Sequence, residues 1–420
     1  MRGATAVRDC VPMPPLDAWL HRHQSSGAVC MTVALLARFA GPAPTPDGLR
    51  SLVEKRWSGY DRLRLTVGGA AHPAWPRWTS GVWPDPVRHV VGPEEGAQDG
   101  PAEERVARLL ARPLGPERPP WRLHLLPGAG GEDGFALLLR AHHALLDGRS
   151  LLALVRDLLD GPVGPVPPPA YGTVGPARRR RLHALSDLLP RARPLPFHGP
   201  VDTHRAVAWR RVTGAELDAA RNALPSGRAS ANAVFLAGAA GALRAAEATG
   251  RLPSLPGVCA MVPVDVRPPG EAAVLGNHYA TVRVPLPVAG GPRRRLAATD
   301  GFTRRAALRE RARAQALAVA AAPRRHGPVT DALGRYVDSP LYASVLCSSL
   351  AERSGPLALG AAGLTGLSLL PPLSPGHPLA LTMTRDTAGA TLAVITDHGR
   401  RALAGRLAAL LRDEIRGLGR

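Results

Sequence analysis

One segment in the N-terminal half of the chain combines a predicted β-hairpin with an unusual cluster of polar residues. Strand-like runs at residues 121–126 and 135–141 flank a glycine-rich turn, which is the pattern of an antiparallel hairpin. The second run leads directly into the heptapeptide HHALLDG at residues 142–148, and a helix is expected over 149–159. Strand, polar loop and helix in this order require a fold that mixes α and β structure, with the histidines at the end of a buried strand.

The rest of the chain also mixes helical and strand-like patterns and shows no short repeat, which favours an α+β fold. In the C-terminal half, a long helix is predicted over residues 297–322 and a closing helix over 402–418. Residues 161–200 are rich in proline and contain an arginine cluster, which is typical of a linker. We therefore predict an N-terminal lobe at 1–165, a linker at 166–200 and a C-terminal lobe at 201–420.

Composition excludes several classes of protein. No run approaches the roughly 18 apolar residues of a spanning helix, and the N-terminus has no signal-peptide pattern. The four cysteines are far apart and form no CxxC pair, so neither a zinc site nor a disulfide framework is expected. Aromatic residues are only 4%, which disfavours a base-stacking surface for single-stranded nucleic acid. These features predict a soluble, reduced, cytoplasmic protein.

The chain is strongly basic, with a formal net charge of +20. Such a surface attracts polyanions, including nucleic acid, anionic lipid, coenzyme A phosphates and acidic carrier proteins. Because all but one of the basic residues are arginine, bias toward GC-rich codons is an alternative cause. The clearest cluster runs from Arg178 to Arg193 and places leucines at helical spacing between arginines. This basic amphipathic segment either contacts a membrane or lipid surface peripherally, or packs its leucines on the protein itself.

The heptapeptide HHALLDG contains residue types suited to acid–base chemistry. A neutral imidazole accepts a proton from a hydroxyl or amine near neutral pH, and such a base can activate an acceptor for attack on an acyl thioester. Because successive strand side chains point to opposite faces, one histidine is expected to face a cavity and the other to pack. Asp147 is expected to orient the loop by pairing with a distant arginine. The structural alternative is a pair of packed histidines followed by an ordinary helix start at Asp147-Gly148.

Several short motifs resemble one known family. HHALLDG matches the signature HHxxxDG, and PPLDA at 14–18, PPW at 119–121, PVDVR at 263–267, GN at 276–277 and PLP at 285–287 are similar to its other conserved stretches. The chain resembles the wax ester synthase/acyl-CoA:diacylglycerol acyltransferase family, within the superfamily of coenzyme A-dependent acyltransferases and condensation domains. The resemblance implies two similar lobes with the active site in a tunnel between them, and no metal or redox cofactor.

The resemblance also implies roles for individual residues. His143 would be the general base and His142 a supporting residue. Asp147 would pair with Arg267, and Gly148 would give the loop room near the thioester. Two further positions would support the site, namely Asn277 in the Gly-Asn pair and Asn232, where the family's Asn-Asp is reduced to Asn-Ala. The family's late Ser-Asn-Val-Pro-Gly-Pro stretch is also degraded here, which leaves the substrates open.

Two hypotheses follow. The first is an acyltransferase that moves an acyl group from a thioester to a hydroxyl or amine acceptor. Its lead version uses acyl-coenzyme A and an alcohol or diacylglycerol. A variant is a condensation enzyme of specialised metabolism that takes its acyl or aminoacyl group from a carrier protein or a charged tRNA. The second hypothesis is a non-catalytic binding protein on the same fold, motivated by the lost Asn-Asp and the degraded late motif.

Overall fold

The computed structural model describes residues 10–420 except 28, 69–74, 94–99, 116, 132, 163–188, 190–191, 251–256 and 269. Most of the predicted linker at 166–200, including Arg178 and the arginines that follow it directly, therefore lies outside the described residues. Within the described part of the chain, no helix is both long and apolar enough to cross a bilayer.

Helices and strands alternate through both halves of the chain. In the N-terminal half the elements are β1 (Cys10–Pro12), α1 (Pro15–Ser25), β2 (Thr32–Ala40), α2 (Pro46–Trp57), a 3-10 turn (Asp61–Arg64), β3 (Thr66–Val67), β4 (Arg77–Thr79), α3 (Pro86–His89), β5 (Val90–Val91), α4 (Ala102–Ala111), β6 (Trp121–Pro127), β7 (Gly134–His142) and α5 (Gly148–Leu158). In the C-terminal half they are β8 (Arg205–Thr213), α6 (Gly214–Arg221), α7 (Ala231–Ala245), β9 (Cys259–Asp265), β10 (Tyr279–Pro285), α8 (Pro292–Arg305), α9 (Leu308–Ala320), α10 (Pro328–Val337), β11 (Val345–Ala351), β12 (Ala358–Leu359), β13 (Ala362–Leu370), β14 (Leu379–Asp386), β15 (Gly389–Asp397) and α11 (Arg401–Leu418). The predicted hairpin of β6 and β7 and the predicted mixture of α and β structure are confirmed.

The described strands form two large sheets and one small sheet. The first large sheet has the order β12-β13-β2-β7-β6-β5, and the second has the order β10-β9-β11-β14-β15-β8. The small sheet, β1-β4-β3, belongs to the N-terminal segment. Strands β12 and β13 come from the C-terminal half but extend the N-terminal sheet beside β2. The chain thus crosses back between the two sheets, while the lobe boundaries at 1–165 and 201–420 stay predictions.

An apolar layer lies between the two large sheets. It includes Leu36 of β2, Leu138 of β7, Val207 of β8 and Ile395 of β15, each at most 7% exposed. Separate apolar clusters fill the other face of each sheet. Burial of apolar surface on both faces explains why β7 reads as a continuous apolar run rather than an alternating one.

The helix predicted over 297–322 is wrong in its bounds. The structure has two helices there, α8 (Pro292–Arg305) and α9 (Leu308–Ala320). The break falls at Ala307, whose φ of 45° lies in the left-handed region. Alanine is a strong helix former and disfavours positive φ, so local propensity does not predict this break. Packing imposes it, because α8 packs mainly on α7 whereas α9 packs mainly on β10 and β9.

Candidate active site

The hairpin delivers the histidine motif to the end of a central strand. β7 lies between β2 and β6, and its last residue is His142, opposite Thr32. The backbone N–H of His142 donates to the carbonyl of Pro120 at 2.8 Å, and that of His143 donates to Met31 at 2.8 Å. A tight turn follows, since Leu145 N–H donates to the carbonyl of His142 at 2.8 Å. The motif loop, residues 143–147, therefore connects a rigid strand to α5.

His142 is a packed residue. Its Nδ1 accepts a hydrogen bond from the backbone N–H of Ala144 at 3.0 Å, and the side chain is buried. Burial, with the nearby rings of His21 and His143, lowers the pKa of His142 to about 3. The ring is thus neutral, and because Nδ1 accepts, Nε2 carries the hydrogen. A ring in this tautomer supports the turn and is not free to act as a base.

His143 differs from its neighbour in retaining partial exposure. Its ring centroid lies 5.6 Å from that of Tyr279 at the start of β10. The Nδ1 atom is buried and has no hydrogen-bond partner among the described residues. Enclosure by protein lowers the pKa of His143, and this effect outweighs opposing ones that include the carboxylates of Asp147 and Asp17. The imidazole is therefore neutral in neutral solution, which is the state a general base needs.

Asp147 ends the motif loop and caps α5. Its Oδ1 accepts from the backbone N–H of Ser150 at 2.8 Å, and its Oδ2 accepts from the backbone N–H of His278 at 3.0 Å. Arg267 Nη2 donates to Oδ1 of Asp147 at 2.9 Å. The side chain of Arg267 is 1% exposed and that of Asp147 is 5% exposed. Burial works to raise the pKa of Asp147, but Arg267 and these N–H donors lower it overall. The geometry brings the predicted pair of Asp147 and Arg267 together across 120 residues of sequence.

Each of the three guanidinium nitrogens of Arg267 donates a hydrogen bond. Besides Asp147, it donates to the carbonyls of Val274 and Gly276 at 2.9 and 3.1 Å and to the carboxylate of Asp265 at 3.0 Å. Burial works to lower the pKa of Arg267, and the carboxylates of Asp147 and Asp265 raise it overall. The guanidinium therefore stays charged and fixes Asp265, Val274 and Gly276 against the motif loop.

Gly148 has a packing reason to be glycine. It begins α5, and a Cβ at this position would lie 2.9 Å from Cδ1 of Leu369 in β13. Any side chain at position 148 would therefore press against that of Leu369. Its predicted role near a thioester stays a prediction.

Asn277 joins the C-terminal half to the motif loop. Its Nδ2 donates to the carbonyls of His143 and Ala144 at 2.7 and 3.0 Å and lies 2.9 Å from Asp17 Oδ1. Exchange of the amide oxygen and nitrogen would set an acceptor against three oxygens, so the orientation of this side chain is determined by its surroundings. Asn277 is placed where the resemblance predicts a supporting residue.

Asn232 lies apart from this cluster. It sits at the start of α7, where its Oδ1 accepts a hydrogen bond from Ser349 Oγ of β11 at 3.1 Å. In the described part of the chain no hydrogen bond joins Asn232 to the motif loop. Its predicted role in the site stays a prediction.

Three further residues contact the motif loop or its partners and were not among the predicted site residues. Ser150 Oγ lies 2.9 Å from Asp147 Oδ1, and Arg62 and Asp17 contact the loop or its partners. Ser150 had a local signal, since it follows the capping Asp147 in the first turn of a helix. Asp17 lies in the PPLDA stretch, and nothing local distinguishes Arg62 from the many other arginines.

Comparison with known proteins agrees with this geometry. The sequence profile of the wax ester synthase/diacylglycerol acyltransferase catalytic domain matches residues 15–267, which contain the histidine motif, Asp17 and Arg267. A putative diacylglycerol O-acyltransferase of Mycobacterium tuberculosis is 30% identical over 67% of this chain and 69% of its own length. The protein is thus an acyltransferase by class. The chain belongs to the wax ester synthase/diacylglycerol acyltransferase family.

Solved structures show the same fold. A wax ester synthase/diacylglycerol acyltransferase from Marinobacter aquaeolei VT8 superimposes with a TM-score of 0.67 at 18% identity, over 97% of this chain and 98% of that one. The first condensation domain of the calcium-dependent antibiotic synthetase superimposes with a TM-score of 0.65 at 16% identity, over 97% and 98%. The predicted α+β fold in two lobes is confirmed. Membership of the family implies the transfer of an acyl group to an acceptor molecule.

Proposed function

We propose that the protein transfers an acyl group from a thioester to a hydroxyl or amine acceptor, with His143 as general base. The observation that carries the proposal is the state of this ring, which is neutral, partly exposed and placed on a loop fixed from both halves of the chain. Because Nδ1 is buried, Nε2 is the nitrogen that we assign to proton transfer.

The reaction balances without a metal or redox cofactor, and none is part of the proposal. The acceptor gives its proton to Nε2 of His143 as its oxygen or nitrogen bonds to the thioester carbonyl carbon. The C–S bond then breaks, and the imidazolium returns the proton to the departing thiolate. His142, neutral and held through the hydrogen bond that its Nδ1 accepts from Ala144 N–H, supports the turn and takes no proton in this scheme.

The lead substrates are acyl-coenzyme A and an alcohol or diacylglycerol, supported by the names of the relatives. A carrier-bound acyl group or a charged tRNA is the alternative donor, supported by the likeness to a condensation domain. The net charge of +20 suits all of these anionic donors.

We also propose a cytoplasmic protein with peripheral membrane contact through the segment from Arg178 to Arg193. Arg193 itself is buried and donates to the carbonyl of Thr249 at 2.8 Å, so the contact would depend on the arginines before it.

A thiol-release assay tests the proposal. Purified protein is supplied with acyl-coenzyme A and with an acyl carrier donor, each with alcohol, diacylglycerol and amine acceptors, and charged tRNA is followed by its deacylation. We expect His143→Ala to lose activity by about 100- to 10,000-fold, the range typical of a general base. His204→Ala is the matched control, because that ring is 74% exposed and pairs with Asp202.

Two results would contradict the proposal. Unchanged turnover in a folded His143→Ala variant would show that His143 is not the general base. Absence of turnover with every donor, in a folded wild-type protein that still binds one of them, would favour the non-catalytic binding protein.

A further inference from the structure

A second buried carboxylate, that of Asp17, lies near the motif loop. Asp17 of α1 is 3% exposed in its side chain, and its Oδ2 accepts from Arg62 Nη2 at 2.7 Å and from Trp78 Nε1 at 3.1 Å. Its Oδ1 accepts from Asn277 Nδ2 at 2.9 Å. The mechanism proposed above does not use this residue, yet three side chains donate hydrogen bonds to its carboxylate.

Two of the three side chains that bind Asp17, Asn277 and Arg62, also bind the backbone of the motif loop. Asn277 Nδ2 reaches the carbonyls of His143 and Ala144 at 2.7 and 3.0 Å. Arg62 Nη2 reaches the carbonyl of Ala144 at 3.1 Å, and its Nε reaches that of Leu145 at 3.0 Å. Three successive carbonyls, directly after the last strand residue, are thus held by two donors that share one carboxylate.

This arrangement has a physical reason. The carbonyls of residues 143–145 lie beyond the end of β7, where no strand partner continues the ladder, and buried carbonyls need donors. A buried guanidinium needs a counter-charge, and Arg62 at 20% exposure has Asp17 as its carboxylate. Without that charge, Arg62 and Asn277 would lose the acceptor that aims them at the loop.

The carboxylate also has an electrostatic effect on the base. The negative charge of Asp17, like that of Asp147, works to raise the pKa of His143 against the larger lowering by burial. A fixed negative charge near an imidazole stabilises the imidazolium that forms during proton abstraction. Asp17 therefore affects both the position of the His143 ring and the free energy of its charged form.

We propose that Asp17 is a positioning residue of the acyl transfer, acting on His143 through Arg62 and Asn277. The inference rests on the proposed function of His143. It gives the N-terminal segment a role in the reaction, because α1 carries Asp17, the 3-10 turn at Asp61–Arg64 carries Arg62, and the small sheet carries Trp78 in β4. Asn277 brings the C-terminal half to the same carboxylate, so the loop is fixed only when both halves are in place.

The test compares two substitutions at Asp17 with a surface control. Asp17→Asn keeps the shape and removes the charge, whereas Asp17→Glu keeps the charge on a longer side chain. The control is Asp47→Asn, because Asp47 also pairs with an arginine, Arg50, but its side chain is 91% exposed. For each full-length variant we would measure kcat, KM for donor and acceptor, the pH profile of kcat, and thermal unfolding.

We expect Asp17→Asn to lower kcat by about tenfold to about 100-fold with little change in KM, since misplacement of a reacting group by about 1 Å is enough for the larger loss. The acid limb of its pH profile should move to lower pH, because loss of the negative charge lowers the pKa of His143 further. Asp17→Glu should restore the position of the acid limb, and Asp47→Asn should resemble wild type. A merely structural role would move the unfolding temperature and leave the pH profile in place.

Three outcomes would overturn the inference. These are a folded Asp17→Asn variant with wild-type kcat, a fall in kcat with an unmoved acid limb, or equal effects of Asp17→Asn and Asp47→Asn. If Asp17→Asn does not fold, Arg62→Lys serves instead, because it keeps the charge but shortens the reach to Leu145; wild-type kcat in that variant would equally refute the inference. Failure of the proposed function is distinguishable, because it would appear as full activity in His143→Ala.

Discussion

Replacement of Asp147 by alanine should damage stability more than replacement of His143, although His143 is the proposed base. Asp147→Ala takes from the guanidinium of Arg267, 1% exposed, the more buried of its two carboxylates and leaves it with Asp265, which is 35% exposed. Removal of one member of a buried ion pair costs about 3–5 kcal/mol, and loss of the N-cap of α5 adds about 1 kcal/mol. The expected loss in the free energy of unfolding is therefore about 4–6 kcal/mol.

This loss converts into a measurable shift in melting temperature. At about 2.1 cal/mol/K per residue, a chain of 420 residues has an unfolding entropy of about 0.9 kcal/mol/K. Asp147→Ala should then melt about 4–7 °C below wild type. His143→Ala removes a partly exposed ring that belongs to no ion pair in the described structure, so a loss of about 1 kcal/mol and about 1 °C is expected.

Thermal unfolding followed by circular dichroism, with thiol release measured on the same samples, checks the prediction. The double variant Asp147→Ala/Arg267→Met should recover part of the loss, because it also removes the buried guanidinium that has lost one of its two carboxylates. Equal melting temperatures for Asp147→Ala and His143→Ala would refute the reasoning, as would a double variant that is less stable than Asp147→Ala.

The pH dependence of kcat/KM should follow the free imidazole of His143. Because its pKa is lowered, activity should rise with pH through a value below the ordinary histidine value of about 6.5 and be complete at neutral pH; an acid limb above that value would contradict the assignment. Gly148→Ala should lower the free energy of unfolding by about 1–3 kcal/mol, because the added Cβ would lie 2.9 Å from Leu369. An unchanged denaturant midpoint would show that Leu369 moves aside without a cost in stability. Replacement of the four arginines at 178–181 by glutamine should reduce co-sedimentation with anionic vesicles but not with neutral ones. Equal binding of the variant and the wild type to anionic vesicles would contradict the proposed membrane contact.

Features of the site that depend on neighbouring residues could be predicted from the sequence. The apolar runs on either side of a glycine-rich turn define the β6–β7 hairpin, and Asp147 after a strand and before an apolar helix defines the cap of α5. The motif HHALLDG and the other short stretches were enough to predict the family, which the comparisons confirm. The choice of His143 over His142 as base followed from the resemblance, and the geometry supports it by occupying Nδ1 of His142.

Features that depend on long-range contacts could not be predicted in this way. Local patterns do not show that Arg62 and Asn277 would donate to the carbonyls of the motif loop. Those contacts span 82 to 134 residues and arise only when the 3-10 turn, the segment before β10 and β7 pack together. The break at Ala307 is similar, since local propensity favours a continuous helix and the packing of α8 and α9 on different neighbours overrides it.

The sequence alone therefore determined the local elements, the residue types of the site and the family. The tertiary structure decided which charges neutralise each other and which sheet each strand joins, as the return of β12 and β13 to the N-terminal sheet illustrates. The physical reason is that hydrogen-bonding and side-chain periodicity act over a few residues, whereas burial selects partners by proximity in space. Arg267 and Asp147 are 120 residues apart in the chain and 2.9 Å apart in the folded protein.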